Sequence, residues 1–242
     1  MPTGIQAKGL ARESKMIHAG IQLFLKNGYS NTSTTAIAKA AGMSPASFFA
    51  AFDTKEALPL KLVQRMFDAQ FSAAAYITAS DGEPLFLYAA ETALQLHIAE
   101  YSDAVRELYV TAYSLPSTAR FIYGAMTPYL MKIFGSYLPG ASDADFRELE
   151  IASSGIMRGF MAEPCSPDFP MERKLRRYLD CCMTLYNVPP ENRRATADYA
   201  VSQNMQSAAR QIVEETIRQA EDSFHAAVKA SDEYRARRTR RK

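Results

Sequence analysis

The chain has 242 residues, of which 48% are hydrophobic and 22% charged, so it can bury a sizeable core, and its composition argues against global disorder. It contains no apolar run of about 18 residues and no apolar signal region at its N-terminus, which predicts a soluble, cytoplasmic protein without a membrane partner. The three cysteines and three histidines form no disulfide framework, metal-ligand spacing or nucleophile pattern, so we expect no metal site, no cofactor and no enzymatic activity.

The net charge of +2 conceals an uneven distribution. Residues 1–65 carry eight basic and three acidic side chains, and residues 235–242 carry six basic ones and no acid, which leaves −9 for residues 66–234. A basic head, an acidic body and a basic tail confine the attraction for polyanions to the two ends. This distribution is typical of a nucleic-acid binder with a separate acidic domain.

The first predicted element is a helix from about Gly9 to Asn27. Its apolar positions follow the helical period, and Gly28 is the expected C-terminal stop. Residues 1–8 precede it as a flexible arm. Tyr29 begins a short polar connection to the next helix.

The chain is organised around residues 34–55, which predict two short helices joined by a tight turn. The first opens at Ser33 or Thr34, whose hydroxyl can accept a hydrogen bond from an unpaired amide. Gly42 ends it, because glycine takes a positive φ at low cost. Ser44 is the expected cap of the second helix, whose first position is proline.

Two helices this short need a third to pack on, and the preceding helix supplies it. The sequence therefore predicts an all-α protein with an N-terminal three-helix head that contains a helix-turn-helix. The expected core of the head is Phe24, Tyr29, Ile37, Ala38, Phe48 and Phe52.

Several motifs in this quarter of the chain occur together at matching offsets. They are Phe24 to Tyr29, Thr34 with Ile37-Ala38, Ala41-Gly42-Met43-Ser44, Phe48-Phe49 and Phe52 to Leu58. In this combination the chain resembles the tetracycline-repressor (TetR) family of bacterial transcription regulators. The resemblance implies a DNA-binding domain at residues 1–54 and a helical ligand-binding and dimerisation domain at residues 55–234. We expect residues 235–242 to form a basic tail that is disordered through self-repulsion.

The resemblance and the side-chain chemistry together predict the contacts with double-stranded DNA. Ser44, Ala46 and Ser47 are expected to read bases, and Lys55 and two threonines to contact phosphates. An ordinary solvated lysine is the alternative for Lys55. The predicted DNA-binding set is Thr34, Thr35, Ser44, Pro45, Ala46, Ser47, Phe49 and Lys55.

Phe49 departs from the family pattern, in which this position is commonly a tyrosine whose hydroxyl reaches a DNA phosphate. Phe49 cannot make that hydrogen bond, so a contact worth on the order of 1 kcal/mol is missing or replaced. Its ring either touches a thymine methyl or packs inward.

From Lys55 a long helix to about Thr78 joins the head to the body, and further helices follow residues 79–84. The segment after the head is rich in Tyr, Phe and Met, which form either a plain helical core or a mostly apolar pocket for an unknown apolar or aromatic effector, with a few polar groups such as Glu91. The predicted pocket residues are Phe71, Phe86, His97, Tyr109, Tyr113, Tyr123, Met126 and Tyr129.

Two helices, at residues 143–161 and 171–187, are assigned to dimerisation. In proteins that resemble this family, the last pair of helices forms a four-helix bundle with the same pair of a second subunit. A homodimer also follows from geometry, because two heads must meet successive major-groove faces about 34 Å apart. The predicted interface residues are Phe146, Leu149, Ser153, Ile156, Phe160, Leu175, Leu179 and Cys182.

A long final segment at residues 191–234 carries a narrow apolar stripe, so it packs by one side only. It either braces the dimer or covers the body. The tail at residues 235–242 either solvates the end of the chain or attracts phosphates without sequence preference.

The preferred interpretation is a ligand-responsive homodimeric repressor that a mostly apolar small molecule releases from a palindromic operator. The alternative is a ligand-independent DNA-binding or architectural protein whose aromatic middle is only core. A body without a cavity of roughly 300 Å³ would favour the alternative.

Overall fold

The computed structural model of the chain describes residues 4–79 and 82–239. Within these ranges the chain forms α-helices and one short 3-10 helix, with no β-strand. The helices are α1 (Gly4–Asn27), α2 (Thr34–Ala40), α3 (Pro45–Phe49), α4 (Ala57–Ile77), α5 (Pro84–Ala99), α6 (Asp103–Ser114), α7 (Pro116–Phe134), α8 (Asp143–Ala162), α9 (Met171–Leu185), α10 (Pro190–Ser202) and α11 (Met205–Thr239), and the 3-10 helix is Gly135–Tyr137. The predicted all-α fold, with a three-helix head before a larger helical body, is confirmed.

Local signals in the sequence account for the ends of the head helices. The Ser33 hydroxyl accepts a hydrogen bond from the Ala36 amide at 3.0 Å and so caps α2. Gly28 and Gly42 take positive φ values of 78° and 69° where α1 and α2 end. Pro45 opens α3, where its missing N–H leaves no donor unpaired.

The six residues predicted for the head core are all buried, and their cluster extends beyond α1 to α3. Leu58 and Leu62 of α4 belong to the same cluster, as do Leu108 of α6 and Ala220 of α11. The head therefore packs directly on three helices of the body. A domain boundary after residue 54 remains a prediction.

In the body, α5 is the central helix, because α4, α6, α7, α8, α9, α10 and α11 all contact it. Residues 88–96 of α5 are buried without interruption, in keeping with a sequence that is apolar on all sides of the helix. None of the helices in the described ranges combines the length and the apolarity needed to cross a membrane.

The predicted final segment is two helices, α10 and α11, separated at residues 203–204. α11 packs along α5 in the body and along α1 in the head, so it covers the body and also reaches the head. The ring of Phe224 stacks on His18 at 4.5 Å, and Gln22 donates to Glu221 at 3.4 Å. These pairings make the two helices antiparallel. Whether α11 also braces a dimer remains a prediction.

The backbone of α11 stays helical to Thr239, so residues 235–239 differ from the disordered tail expected from sequence. Arginine has a high helix propensity, and adding residues to an existing helix avoids the cost of nucleation. Residues 240–242 of the predicted tail lie outside the described residues.

Candidate nucleic-acid interface and a buried polar cluster

The recognition surface consists of residues 44–49, on and just before α3. Ser44, Pro45 and Ala46 are exposed, and Ser47 is half-buried. The ring of Phe49 is 56% exposed and meets Phe48 edge-on at 5.5 Å, so it does not pack inward. Small side chains and one exposed aromatic ring therefore form an open, weakly polar face.

The expected side-chain cap of α3 does not form. Ser44 occupies the N-cap position, but its hydroxyl makes no hydrogen bond to an amide. Its Oγ instead lies 3.0 Å from the Ser47 Oγ. The two hydroxyls are hydrogen-bonded to each other, and each can form a hydrogen bond with a ligand instead.

The two threonines predicted to contact phosphates lie at the start of α2. Thr34 is half-buried and Thr35 is exposed. The N-terminal half of α1 lies near the end of α3, where Arg12 Nη1 donates to the Ala50 carbonyl at 3.4 Å.

Lys55 is not the solvated lysine of the sequence-based alternative. Its Nζ donates to the Tyr29 carbonyl at 2.9 Å and stands 4.0 Å from the centroid of the Tyr29 ring. Burial lowers the pKa of Lys55, and the charge of Glu107 opposes that shift. A DNA phosphate would have to compete with these internal contacts for the ammonium group.

Glu107 of α6 joins the body to the turn between α1 and α2. Its Oε1 accepts a hydrogen bond from the Ser30 amide at 2.8 Å. Hydrogen bonds from Ser30, and a further one from the Tyr29 amide, lower the pKa of this carboxyl against the effect of burial. A Cβ atom on Gly28 would lie 2.1 Å from Glu107 Oε2, so a side chain there would displace this carboxylate, and the φ of 78° also favours glycine. We call this contact the head–body junction.

Comparison with known proteins agrees with this geometry. Residues 16–62 match the family described as "Bacterial regulatory proteins, tetR family", from the middle of α1 into α4. The head is therefore a bacterial helix-turn-helix domain of this class. Over this head, the chain is similar to the TetR family of regulators.

A curated relative comes from Bacillus subtilis (strain 168) and is named "Uncharacterized HTH-type transcriptional regulator YuxN". It is 29% identical over 183 residues, which cover 74% of this chain and 58% of the relative. The chain thus spans less than two thirds of that relative's length.

A second set of polar side chains lies in the middle of the body. Glu91 of α5 is 0% exposed, and burial raises its pKa to about 8. Gln95 Nε2 donates to Glu91 Oε1, while Glu91 Oε2 has no hydrogen-bond partner. Gln95 Oε1 accepts in turn from the Tyr113 hydroxyl at 2.7 Å.

Glu150 of α8 reaches the same region and is 4% exposed. It accepts hydrogen bonds from Ser154 Oγ at 2.6 Å and Ser153 Oγ at 3.0 Å. Burial raises the pKa of Glu150 to about 7, although these hydroxyls lower it in part. We refer to these side chains as the buried polar cluster: Glu91, Gln95, Tyr113, Glu150, Ser153 and Ser154.

The buried polar cluster lines a small cavity, whose other walls include Tyr88, Met126 and Tyr178. Its volume is about 20 Å³, room for a single water molecule. This is far below the roughly 300 Å³ of a formed ligand pocket. The body is therefore closed around two buried carboxyl groups.

The predicted pocket residues do not form one site. Tyr113 and Met126 line the cavity. Tyr109 is buried and accepts from Gln70, and the Phe71 and Tyr129 rings meet each other at 4.9 Å. Elsewhere, Phe86 stacks on Tyr199 at 4.1 Å, His97 lies near Lys174 and Glu100, and Tyr123 is half-buried on α7.

The sequence indicates burial for only one of the two buried carboxyl groups. Glu91 is the one acid in a helix that is apolar on every side, so it had to be buried. Glu150 belongs to an amphipathic helix with other acids, and nothing in its neighbours distinguishes it.

Most of the predicted dimer-interface residues pack inside their own protomer. Five are buried inside it, and three are half-buried. The five are Phe146, Ser153, Leu175, Leu179 and Cys182, and the three are Leu149, Ile156 and Phe160. The exposed side of α8 instead presents Ile151, which is 48% exposed, with Ala152, Gly155 and Gly159. A dimer through α8 and α9 remains a prediction.

Proposed function

We propose that the protein is a cytoplasmic, homodimeric transcription repressor that binds a palindromic DNA operator through its heads and is released by a small molecule. The observation that carries the proposal is the exposed recognition surface on a TetR-family head. Small side chains at residues 44–47, of which the first three are exposed, allow α3 to approach base edges closely in a major groove.

The charge distribution supports a polyanionic partner at the head. Residues 1–65 have a net charge of +5, in a chain whose total is +2. Because α11 runs antiparallel to α1, its basic C-terminal residues 235–239 continue toward the N-terminal half of α1. Head and tail can then attract the same duplex, with the phosphates as the shared partner.

Dimerisation follows from the need to meet two half-sites, which lie about 34 Å apart. The exposed stripe of small residues on α8 suits this role, because Ala152, Gly155 and Gly159 let a partner helix approach closely.

Release by a small molecule requires that the body control the position of the head. The head–body junction supplies a direct connection, since Glu107 of α6 holds the turn that precedes α2. Ser117 at the start of α7 also donates to Glu56 at 3.1 Å, in the segment that links α3 of the head to α4. A ligand that prefers another arrangement of α6 and α7 would thereby favour another head position.

The test is a mobility shift with a duplex from the region upstream of the protein's own gene. We expect binding at nanomolar to sub-micromolar protein, and loss of at least about 100-fold in affinity for Ala46→Glu, which places a carboxylate against the DNA. Ala75→Glu is the matched control, since Ala75 is exposed on α4 in the body. Wild-type protein that binds no such fragment would contradict the proposal.

A ligand-independent DNA-binding protein is the second candidate. The small volume of the cavity at the buried polar cluster favours it, since the larger space of about 520 Å³ on α9 and α10 is an open surface groove. A thermal-shift screen separates the two candidates, because a ligand selective for the folded protein must raise its melting temperature. The chemistry of the buried polar cluster indicates which compounds to include.

A further inference from the structure

The buried polar cluster contains two carboxyl groups and no cation. Burying a carboxylate without a partner is costly, so a buried acid is normally paired or protonated. The nearly buried cations of the body have other partners: Lys174 Nζ lies 2.7 Å from Glu100, and Arg106 lies 3.0 Å from Glu100 and 2.5 Å from Asp103. Glu91 and Glu150 are left without a counter-ion among the described residues.

One oxygen of the cluster has no partner at all. The Gln95 side-chain amide donates to Glu91 Oε1, whereas Glu91 Oε2 is buried and makes no hydrogen bond. Buried side-chain oxygens are satisfied in most proteins, so an exception at a cavity calls for a partner. A hydrogen-bond donor or a cation would satisfy this oxygen.

The walls of the cavity suit a cation that also has an apolar part. Tyr88, Tyr113 and Tyr178 are among its lining residues, and the faces of aromatic rings attract cations electrostatically. Met126 and Met157 are the flexible members of the wall, and methionine adapts its shape more readily than branched side chains.

We propose that this cavity is the effector site and that the effector is an organic cation, a protonated amine or a quaternary ammonium, whose charge is met by Glu91 and Glu150. This inference rests on the proposed ligand response, and it replaces a mostly apolar effector with a charged one. The cation enters as Met126 and Met157 move aside, and its apolar part then lies among the tyrosine rings.

The ionisation of the cluster agrees with this assignment. Burial raises the pKa of Glu91 to about 8 and that of Glu150 to about 7, so near pH 7 Glu91 is mostly protonated and Glu150 is about half protonated. An incoming cation favours the carboxylate form, and the displaced proton leaves to solvent. The other titratable groups facing these acids have raised pKa values and stay neutral: Tyr88, Tyr109, Tyr113, Tyr129, Tyr178, Cys182 and Tyr186.

The arrangement of the cluster also connects it to the head. Tyr113, which donates to Gln95, lies on α6, the helix whose Glu107 holds the head–body junction. A cation between Glu91 and Glu150 would disturb the Gln95 to Tyr113 hydrogen bond and hence α6. Binding in the cavity and head position are in this way coupled through one helix.

The experiment compares matched pairs of probes on the full-length protein without DNA. Phenethylamine and benzyltrimethylammonium are the cations, and 2-phenylethanol is the neutral counterpart of phenethylamine. We expect both cations to raise the melting temperature and to bind once per protomer by calorimetry, and the alcohol to do neither at the same concentration.

The variants locate the site. Glu91→Gln and Glu150→Gln should each weaken binding of benzyltrimethylammonium by at least about tenfold, whereas Glu148→Gln, an exposed acid on α8, should leave it unchanged. Equal binding of amine and alcohol would overturn the inference, as would unchanged affinity in both cluster variants. If a variant fails to fold, the comparison of amine with alcohol on the wild-type protein decides.

A mobility shift of the upstream duplex separates this inference from the proposed function. If DNA is bound but no cation binds, only the effector assignment is wrong. If a cation binds but no DNA does, the cation site stands and the proposed regulator does not.

Discussion

The head of this protein exposes the polar groups of its recognition surface, whereas the body buries many of its polar groups. The recognition surface of the head leaves its hydroxyls and the Phe49 ring open to solvent. The body instead buries polar groups, and the described side chains with a buried, unpartnered polar atom all lie there: Gln70, Glu91, Arg106, Thr118 and Tyr129. The recognition surface is open to a partner as it stands, whereas the proposed binding of a cation to the buried polar cluster would require the body to rearrange.

The largest effect is expected at the exposed side of α8. Gly155→Trp should convert the proposed dimer to a monomer and weaken operator binding by at least about 100-fold, because each head then binds a half-site alone. A Cβ on Gly155 meets nothing within 4 Å, so the protomer itself can carry the ring. Light scattering gives the mass, and fluorescence anisotropy gives the affinity.

Gly124→Trp is the matched control for this substitution. Gly124 is also helical and exposed, and a Cβ there also meets nothing within 4 Å, but it lies on α7. A Gly155→Trp protein that remains dimeric would show that α8 does not form the interface.

The next effect concerns the pH dependence of stability in the body. The folded-state pKa of Glu91 is about 8 and its ordinary value is 4.5, so between these values the folded protein holds more protons than the unfolded chain. Stability must therefore fall as the pH rises through this window. Relative to Glu91→Gln, we expect the wild-type protein to lose on the order of a few kcal/mol of unfolding free energy from pH 5 to pH 8.

Urea denaturation at several pH values measures this difference. Glu150→Gln should show the same trend over a window that ends near pH 7, where the folded-state pKa of Glu150 lies. Glu148→Gln is exposed and should follow the wild-type curve. Parallel curves for Glu91→Gln and the wild type would mean that Glu91 is not held protonated.

A smaller effect is expected where the two regions meet. Glu107→Ala removes the acceptor of the Ser30 amide and should destabilise the head by about 1 kcal/mol. Hydrogen exchange should then accelerate by about fivefold at Ser30, with no comparable change in α5. Glu107→Gln keeps one acceptor oxygen, so its exchange rate at Ser30 should lie between those of the wild type and Glu107→Ala. Unchanged exchange at Ser30 would show that the junction does not hold the turn.

The smallest effect is expected on the recognition surface. Phe49→Tyr adds a hydroxyl to a ring that is 56% exposed, and we expect about fivefold tighter DNA binding, equivalent to about 1 kcal/mol. Because a phosphate contact carries no sequence information, an unrelated duplex should gain by the same factor. Anisotropy with both duplexes checks this. No gain with either duplex would mean that the added hydroxyl reaches no phosphate.

The sequence by itself determined the head, because its signals act over a few residues. The cap at Ser33, the glycine at position 42, the proline that opens α3 and the spacing of Phe48 and Phe52 each set a local backbone choice or one buried face. The predicted core of the head followed from that spacing and is buried as expected.

Only the tertiary structure decided which polar groups meet inside the body and which neighbours its helices have. Glu91 and Glu150 lie on α5 and α8, which are far apart in the chain and meet only after the helices pack. The periodicity of α8 and α9 marked an apolar side but not whether that side would face its own core or a partner. Periodicity defines one face of a helix, and the choice of neighbour depends on how all the faces fit together.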